Sequence, residues 1–127
     1  MADHAGKAVW NGDIKGSGTL STDSGTLNAP YSAGSRFEGK PGANPEELIG
    51  AAHAGCYTMY LTSTVTMNPN NGHPVIEHIH VSTVGKVTGG NITPDDFQKH
   101  AEDAKANCPV SKVLSSVPKM TLEAKLA

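Results

Sequence analysis

The chain has 127 residues, enough for one domain with a substantial core and too few for two ordinary ones, so a single domain over residues 1–127 is predicted. Ten Lys and Arg residues against 12 Asp and Glu give a formal net charge of −2, which argues against a nucleic-acid or anionic-membrane surface as the main partner. No window reaches the ~18 consecutive apolar residues of a membrane-spanning helix, and the N-terminus lacks the apolar stretch of a signal peptide, so a cytoplasmic protein is expected. Two cysteines are too few for a secreted disulfide framework, and a cytosolic pair is catalytic, metal-binding or inert.

The first part of the chain has the composition of short strands. Residues 7–40 are rich in Gly, Ser and Thr, with short apolar or β-branched segments between glycine-containing breaks. This pattern predicts a meander of short antiparallel strands, followed by a loop at "EGKPGAN".

A helix start signal follows the loop. Asn44 is a good N-cap, Pro45 suits the first helical position, and Glu46 and Glu47 lie in the first turn, where the helix dipole favours anions. The residues that follow are mostly apolar and small. A long, largely buried helix is therefore predicted from Pro45 to about Met67, with "NPNNG" ending it.

The rest of the chain alternates between the two element types. Residues 74–87 are β-branched and predict a strand, and residues 93–96 repeat the helix start signal. Pro109 begins a further helix and places Cys108 at its cap, while the period-2 pattern of residues 119–127 predicts a last strand. Strands, a long helix, a strand, two helices and a strand indicate an α+β fold.

The two cysteines differ in their predicted surroundings. Cys108, at a helix N-terminus, has one of the features that favour a thiolate. Cys56 lies within a helix among apolar neighbours, which raise a thiol pKa unless a cation is delivered from elsewhere in the fold. Arg36 is the only Arg in the chain and is the obvious candidate, since a guanidinium cannot lose its proton. Composition alone nevertheless leaves Cys56 open to interpretation as an inert core residue, and Arg36 as an ordinary surface residue.

Histidines offer a metal-binding alternative. His53 and Cys56 are three residues apart on one helix, and His73, His78 and His80 lie on or beside the predicted strand. Cys and His ligands suit zinc, but the spacing matches no established zinc pattern, so this hypothesis is the weaker one.

The acids of the first helical turn have two interpretations. They either complement the helix dipole or orient an arginine through paired hydrogen bonds. Glu47 and Cys56 are nine residues apart, which on a straight helix means ~180° of rotation and ~13 Å of rise. If both serve one thiol site, the carboxylate near Cys56 comes from a second chain, and a dimer is predicted.

Three segments together resemble a known family. Residues 36–39 and 42–56, "RFEG" and "GANPEELIGAAHAGC", strongly resemble the OsmC branch of the OsmC/Ohr family, and residues 106–114, "ANCPVSKVL", match its second cysteine motif. The likeness extends over "VWNGDIKGSGTLSTDSGTLN" and the last strand, and so covers most of the chain.

The resemblance implies a homodimeric peroxidase. It implies antiparallel strands packed on a long central helix, intertwined chains, and reduction of small organic hydroperoxides. Cys56 is then the peroxidatic thiol and Cys108 the resolving thiol, with Arg36 and Glu47 as the polar pair that activates Cys56. Neither a bound cofactor nor a metal is implied, and the reductant is an external dithiol, typically a dihydrolipoyl group. His53 belongs to the motif, and proton transfer and simple packing both stay open for it.

One departure from the family pattern is expected. The family usually has two long strands between the Cys56 helix and the next helix, and residues 72–91 have room for about one. A chain lacking a strand would have an exposed sheet edge. That expectation supports a rival hypothesis, a non-enzymatic redox or ligand-binding module of the same fold.

Overall fold

The structure, a computed structural model, describes residues 2–57, 61–85 and 90–127. Its contacts divide into two units, Met1–Leu48 and Ile49–Ala127. Each unit contains a three-stranded sheet, and helices accompany both sheets, which confirms the predicted α+β class. The single domain inferred from chain length stays a prediction.

The first sheet is the predicted meander. Its three strands pair antiparallel in the order β1–β2–β3, with Gly6 opposite Thr22 and Ser17 opposite Ser32. Gly12, in the turn after β1, has a φ of +95°, a conformation that glycine adopts without steric cost. The strands are β1 (Gly6–Asn11), β2 (Ser17–Thr22) and β3 (Asn28–Ser32).

A five-residue helix, α1 (Ala33–Phe37), follows β3 and was not predicted. Ser32 caps it: the Ser32 hydroxyl accepts from the Ser35 N–H at 3.1 Å, and the Ser35 hydroxyl accepts from the Ser32 N–H at 2.9 Å. One turn and a half is too short for a periodic apolar pattern, so only the two serines, three apart, signal it.

Helix α2 (Pro45–Tyr57) begins where the sequence predicts. The side-chain oxygen of Asn44 accepts from the Glu47 N–H at 2.8 Å, which confirms the cap. The predicted end near Met67 is wrong, because the described helix ends at Tyr57 and a strand begins at Leu61. The part of the predicted helix at residues 58–60 lies outside the described residues.

The segment that was expected to continue this helix contains a strand, β4 (Leu61–Asn68). Val and Thr lose side-chain freedom in a helix and pack well in a sheet, and here they alternate between exposed Thr62, Thr64 and Thr66 and half-buried Val65. Because β4 supplies the second strand before the next long helix, the expectation of a missing strand is also wrong.

The second sheet has the order β4–β5–β6. Its central strand, β5 (Val75–Gly85), pairs antiparallel with β4 and parallel with β6 (Lys119–Leu126), and a 3₁₀ turn at Asn70–Gly72 precedes it. These strands confirm the predictions for both segments, except that residues 86 and 87 lie outside the described part of the chain.

Both short helical predictions in the second unit are confirmed. Helix α3 (Pro94–Asn107) is capped by Thr93, and α4 (Pro109–Val113) begins immediately after Cys108. Cys108 therefore ends one helix and begins the next. The core of this unit is formed by buried Ile79, Val81 and Cys108, packed against the partly buried Cys56, Val65, Ile76, Ala104, Val110, Leu114, Val117, Met120 and Leu122.

Candidate active site

The two cysteine side chains meet in the second unit. The Sγ atoms of Cys56 on α2 and Cys108 before α4 lie 2.9 Å apart, and both thiols are free. Cys108 is only 5% exposed, whereas Cys56 is half-buried. The structure therefore brings the two predicted thiols into contact and leaves Cys56 the more accessible one.

A glycine in α2 lets this helix lie close to the sheet. A Cβ atom built on Gly50 would be 2.8 Å from the carbonyl oxygen of Ser63 on β4, closer than Cβ atoms pack. Gly50 is buried and thus permits the close approach of α2 to β4, which places the next turn of the helix, with His53, against the same strand.

Each of the two thiols changes the pKa of the other. The hydrogen bond with Cys108 raises the pKa of Cys56, the Val110 N–H opposes this, and burial adds to the increase. Burial acts to raise the pKa of Cys108, but the hydrogen bond with Cys56, the N–H and hydroxyl of Ser111 and the Val110 N–H outweigh it and lower that pKa. The geometry of the contact alone assigns the Cys108 sulfur as donor, but a thiol can both donate and accept, and the two pKa directions favour the proton on Cys56.

The N–H groups at the start of α4 favour a negative charge on the Cys108 sulfur, as expected at a helix N-terminus. Neither the Val110 N–H nor the Ser111 N–H makes a hydrogen bond to the Cys108 sulfur with the geometry of a side-chain cap. The lowered pKa of Cys108 agrees with the prediction that its position favours a thiolate.

His53 is completely buried one turn before Cys56. Its Nδ1 lies 3.1 Å from the Ser63 hydroxyl oxygen on β4, and its Nε2 lies 2.7 Å from the Ser111 hydroxyl oxygen on α4. Burial lowers the pKa of His53, so the imidazole is neutral near pH 7.

The three other histidines of the metal-binding hypothesis do not join His53 and the two thiols. His78 Nε2 and His80 Nδ1 lie 2.7 and 2.8 Å from the Thr121 hydroxyl oxygen, whereas His73 is exposed in the loop before β5. Side chains alternate along β5, so His78 and His80 face away from buried Ile79.

His53 lies on the opposite face of the sheet from His78 and His80. It contacts Ser63, which is opposite Val81 in the β4–β5 register and shares its face. The zinc hypothesis, which joined these histidines to Cys56, is therefore not supported. Among residues 2–57, 61–85 and 90–127, no three His, Cys, Asp or Glu side chains are grouped so that they could hold a metal ion.

Arg36 lies on α1, in the first unit, and pairs with Glu46 of the same chain. Its Nη2 and Nε donate to the two carboxylate oxygens of Glu46 at 2.6 and 3.3 Å, a bidentate pair. The side chains of Arg36 and Glu46 are 31% and 13% exposed, whereas Glu47 is exposed. Within this chain Arg36 therefore pairs with Glu46, and the roles of Arg36 and Glu47 in activating Cys56 stay predictions.

Sequence reasoning did not single out the residues that surround the thiols. Ser111 and Ser63 contact His53, but serine is common at helix starts and in strands, so the residue type alone marks neither. The spacing of Ser111 from Cys108, at the third position after a cap, was the available signal.

An α+β chain with two apposed free thiols belongs to the class of proteins that are equipped for cysteine redox chemistry. A sequence model of the family described as OsmC-like protein matches residues 37–123. Peroxiredoxin OsmC of Escherichia coli (strain K12) is 42% identical over an alignment 129 positions long, which covers 87% of this chain and 89% of that relative, and Peroxiredoxin OsmC of Shigella flexneri gives the same values. The chain belongs to the OsmC-like family.

Solved structures agree at the level of the fold. The OsmC-like protein of Mycoplasma pneumoniae has a TM-score of 0.68 at 16% identity, covering 99% of this chain and 98% of that one. The organic hydroperoxide resistance protein OhrB of Bacillus subtilis has a TM-score of 0.62 at 19% identity, covering 97% and 98%. In the described part of this chain, no helix has the length and apolar character needed to cross a membrane.

Proposed function

We propose that this chain is a thiol peroxidase that reduces small organic hydroperoxides, with Cys56 as the peroxidatic thiol and Cys108 as the resolving thiol. The observation that carries the proposal is the 2.9 Å contact between two free Sγ atoms. The name of the 42% identical relative, Peroxiredoxin OsmC, supports peroxide as the oxidant, and the name of the Bacillus subtilis structure supports the organic hydroperoxide.

The reaction balances with these two thiols and one external dithiol. The Cys56 thiolate attacks one peroxide oxygen, the O–O bond breaks, and the alcohol leaves after taking a proton, which converts Cys56 to a sulfenic acid. Cys108 then attacks the Cys56 sulfur, an S–S bond forms, the S–O bond breaks, and hydroxide leaves as water with the proton of the second thiol. A dithiol, for which we propose a dihydrolipoyl group, reduces the disulfide by exchange and becomes a disulfide itself.

The assignment of Cys56 to the peroxide step follows from access. A hydroperoxide has to reach the attacking sulfur, and Cys56 is half-buried whereas Cys108 is 5% exposed. Cys56 also packs against the apolar cluster that contains Ile79 and Val81, a surface that suits the alkyl group of an organic hydroperoxide.

The first step requires the Cys56 thiolate, which the surroundings of Cys56 in this unit disfavour. A cation near Cys56 would reverse this preference. We propose Arg36 for this role, held by a carboxylate, in a homodimer in which a second chain contributes to each site. Mixing Cys56→Ser chains with Glu47→Gln chains tests whether Glu47 of one chain serves Cys56 of the other, because a site shared in this way regains activity in the mixed dimer. No recovery, with mixing confirmed by mass spectrometry, would contradict sharing through Glu47.

Thiol counting tests the peroxidase proposal itself. Reduced protein mixed with one equivalent of cumene hydroperoxide should lose two thiols per chain and form an intramolecular disulfide, and added dihydrolipoamide should restore both thiols. Cys56→Ser should lose peroxide consumption. Cys108→Ser should still consume one equivalent but accumulate sulfenic and then sulfinic acid at Cys56.

Two outcomes would overturn the proposal. One is that Cys56→Ser consumes peroxide as fast as the parent, and the other is that the parent consumes none. The second outcome would favour the alternative of a non-enzymatic redox or ligand-binding module. The expected loss of a strand no longer supports that alternative, because β4 supplies the strand.

A further inference from the structure

Two side-chain contacts join α2 to α4 side by side. One is the sulfur pair of Cys56 and Cys108 at 2.9 Å, and the other is His53 Nε2 with the Ser111 hydroxyl oxygen at 2.7 Å. His53 precedes Cys56 by three residues, and Ser111 follows Cys108 by three, so each helical segment presents both of its residues on one face. The second contact has no redox chemistry and lies one turn from the first.

His53 is fixed on its other side as well. Its Nδ1 lies 3.1 Å from the Ser63 hydroxyl oxygen, so β4, α2 and α4 meet at one buried ring. A neutral imidazole donates from one nitrogen and accepts at the other. If Ser63 donates to Nδ1, the His53 Nε2–H donates to the Ser111 oxygen, and the Ser111 proton is available to the Cys108 sulfur. This assignment agrees with the effect of the Ser111 hydroxyl on Cys108.

We propose that His53 and Ser111 are positioning residues for the resolving thiol. By tying α4 to α2 and β4, they hold Cys108 within reach of Cys56 and direct the Ser111 hydroxyl towards the Cys108 sulfur. This proposal rests on the proposed function, because the disulfide takes part in catalysis only if the chain is a thiol peroxidase.

The affected step is the second one. Cys108 attacks the Cys56 sulfenic acid, the S–S bond forms, the S–O bond breaks, and the leaving hydroxide takes the Cys108 proton to become water. A misplacement of about 1 Å between reacting groups costs up to about 100-fold in rate. Loss of the His53–Ser111 contact should therefore slow disulfide formation and leave the reaction of Cys56 with peroxide nearly unchanged.

A measurement without peroxide tests the positioning. In mixtures of reduced and oxidised glutathione, the equilibrium between the dithiol and the Cys56–Cys108 disulfide reports how well the two thiols are oriented. Ser111→Ala should lower that equilibrium constant by about tenfold, and Ser111→Thr, which keeps a hydroxyl, should restore most of it. Ser115→Ala is the matched control, because Ser115 is exposed in the following 3₁₀ turn and should leave it unchanged.

A second measurement separates the two chemical steps. Dimedone traps the Cys56 sulfenic acid in competition with Cys108, so after cumene hydroperoxide the trapped fraction should rise in Ser111→Ala at an unchanged rate of peroxide loss. His53→Gln keeps an amide N–H for Ser111 and should resemble the parent, whereas His53→Leu should resemble Ser111→Ala. Urea denaturation of each variant checks that it is folded. If His53→Leu does not fold, Ser111→Ala alone tests the inference.

The outcomes distinguish this inference from the proposed function. If Ser111→Ala leaves both the glutathione equilibrium and the trapped fraction at parent values, the positioning inference is overturned. If the parent forms the disulfide with glutathione but consumes no hydroperoxide, the peroxidase proposal fails while the positioning inference stands. A parent that forms no disulfide in glutathione overturns the inference whatever its peroxidase activity.

Discussion

The pair of Arg36 and Glu46 makes a quantitative prediction because its neighbour Glu47 supplies a matched control. Glu46→Gln and Glu47→Gln remove the same charge from the same helical turn, so both lose a similar dipole contribution of about 0.3–1 kcal/mol. Only Glu46 accepts two hydrogen bonds from Arg36, at 2.6 and 3.3 Å. The difference between the two variants therefore isolates the ion pair.

The magnitude follows from burial. Exposed ion pairs contribute about 0–1 kcal/mol, and breaking a fully buried pair costs about 3–5 kcal/mol. With Arg36 31% and Glu46 13% exposed, the pair lies between these limits. Glu46→Gln should lower the free energy of unfolding by about 2 kcal/mol more than Glu47→Gln, a difference of about 1 M in the urea midpoint at an m-value of about 2 kcal/mol/M.

Urea denaturation of both variants, at two protein concentrations to account for oligomerisation, checks the prediction. Equal losses in the two variants would refute the assignment of Glu46 as the partner of Arg36, and so would a loss below about 0.5 kcal/mol for Glu46→Gln. Peroxide consumption is a separate readout. If Glu47 serves the site of a second chain, Glu47→Gln lowers activity while its loss of stability stays within the dipole contribution.

Three further predictions concern the second unit. Gly50→Ala should destabilise the protein by about 1–3 kcal/mol, since its Cβ would lie 2.8 Å from the Ser63 carbonyl oxygen, whereas Gly55→Ala, with open space at its Cβ, should be neutral or gain up to about 1 kcal/mol in thermal or urea unfolding. The pKa of His53 is lowered in the folded state, so its contribution to stability is complete above pH ~6.5 and is lost as pH falls through the folded pKa. The stability of the parent should thus fall more steeply below pH ~6.5 than that of His53→Gln, and parallel pH curves would contradict this. Ile79→Val, at a fully buried site, should cost about 0.5–1.5 kcal/mol in the same unfolding assay, and no change would show that the site tolerates a cavity.

The sequence predicts the elements whose signals are local. Asn44 and Thr93 cap the helices that they were expected to cap, and the period-2 pattern of the last strand became β6. The contact between Cys56 and Cys108 was expected from a family resemblance, because no local rule relates residues that are 52 positions apart.

The failures have physical causes of their own. Apolar and small residues continue past Tyr57 and favour a longer helix, whereas the β-branched residues of β4 favour the strand that the structure has. The pairing of Arg36 with Glu46 was not predicted, because it depends on how α1 lies against the start of α2. That arrangement comes from tertiary contacts such as the Asn44 amide hydrogen bond to the Ser35 carbonyl, which no spacing rule contains.

Cys108 occupies a position where a serine would serve the helix better. It is the N-cap of α4, yet its side chain makes no capping hydrogen bond. A hydroxyl at an N-cap contributes about 0.5–2 kcal/mol relative to alanine, and serine is among the residues preferred there. If Cys108 is the proposed resolving thiol, the chain forgoes stability at one helix terminus for a sulfur atom that can change oxidation state.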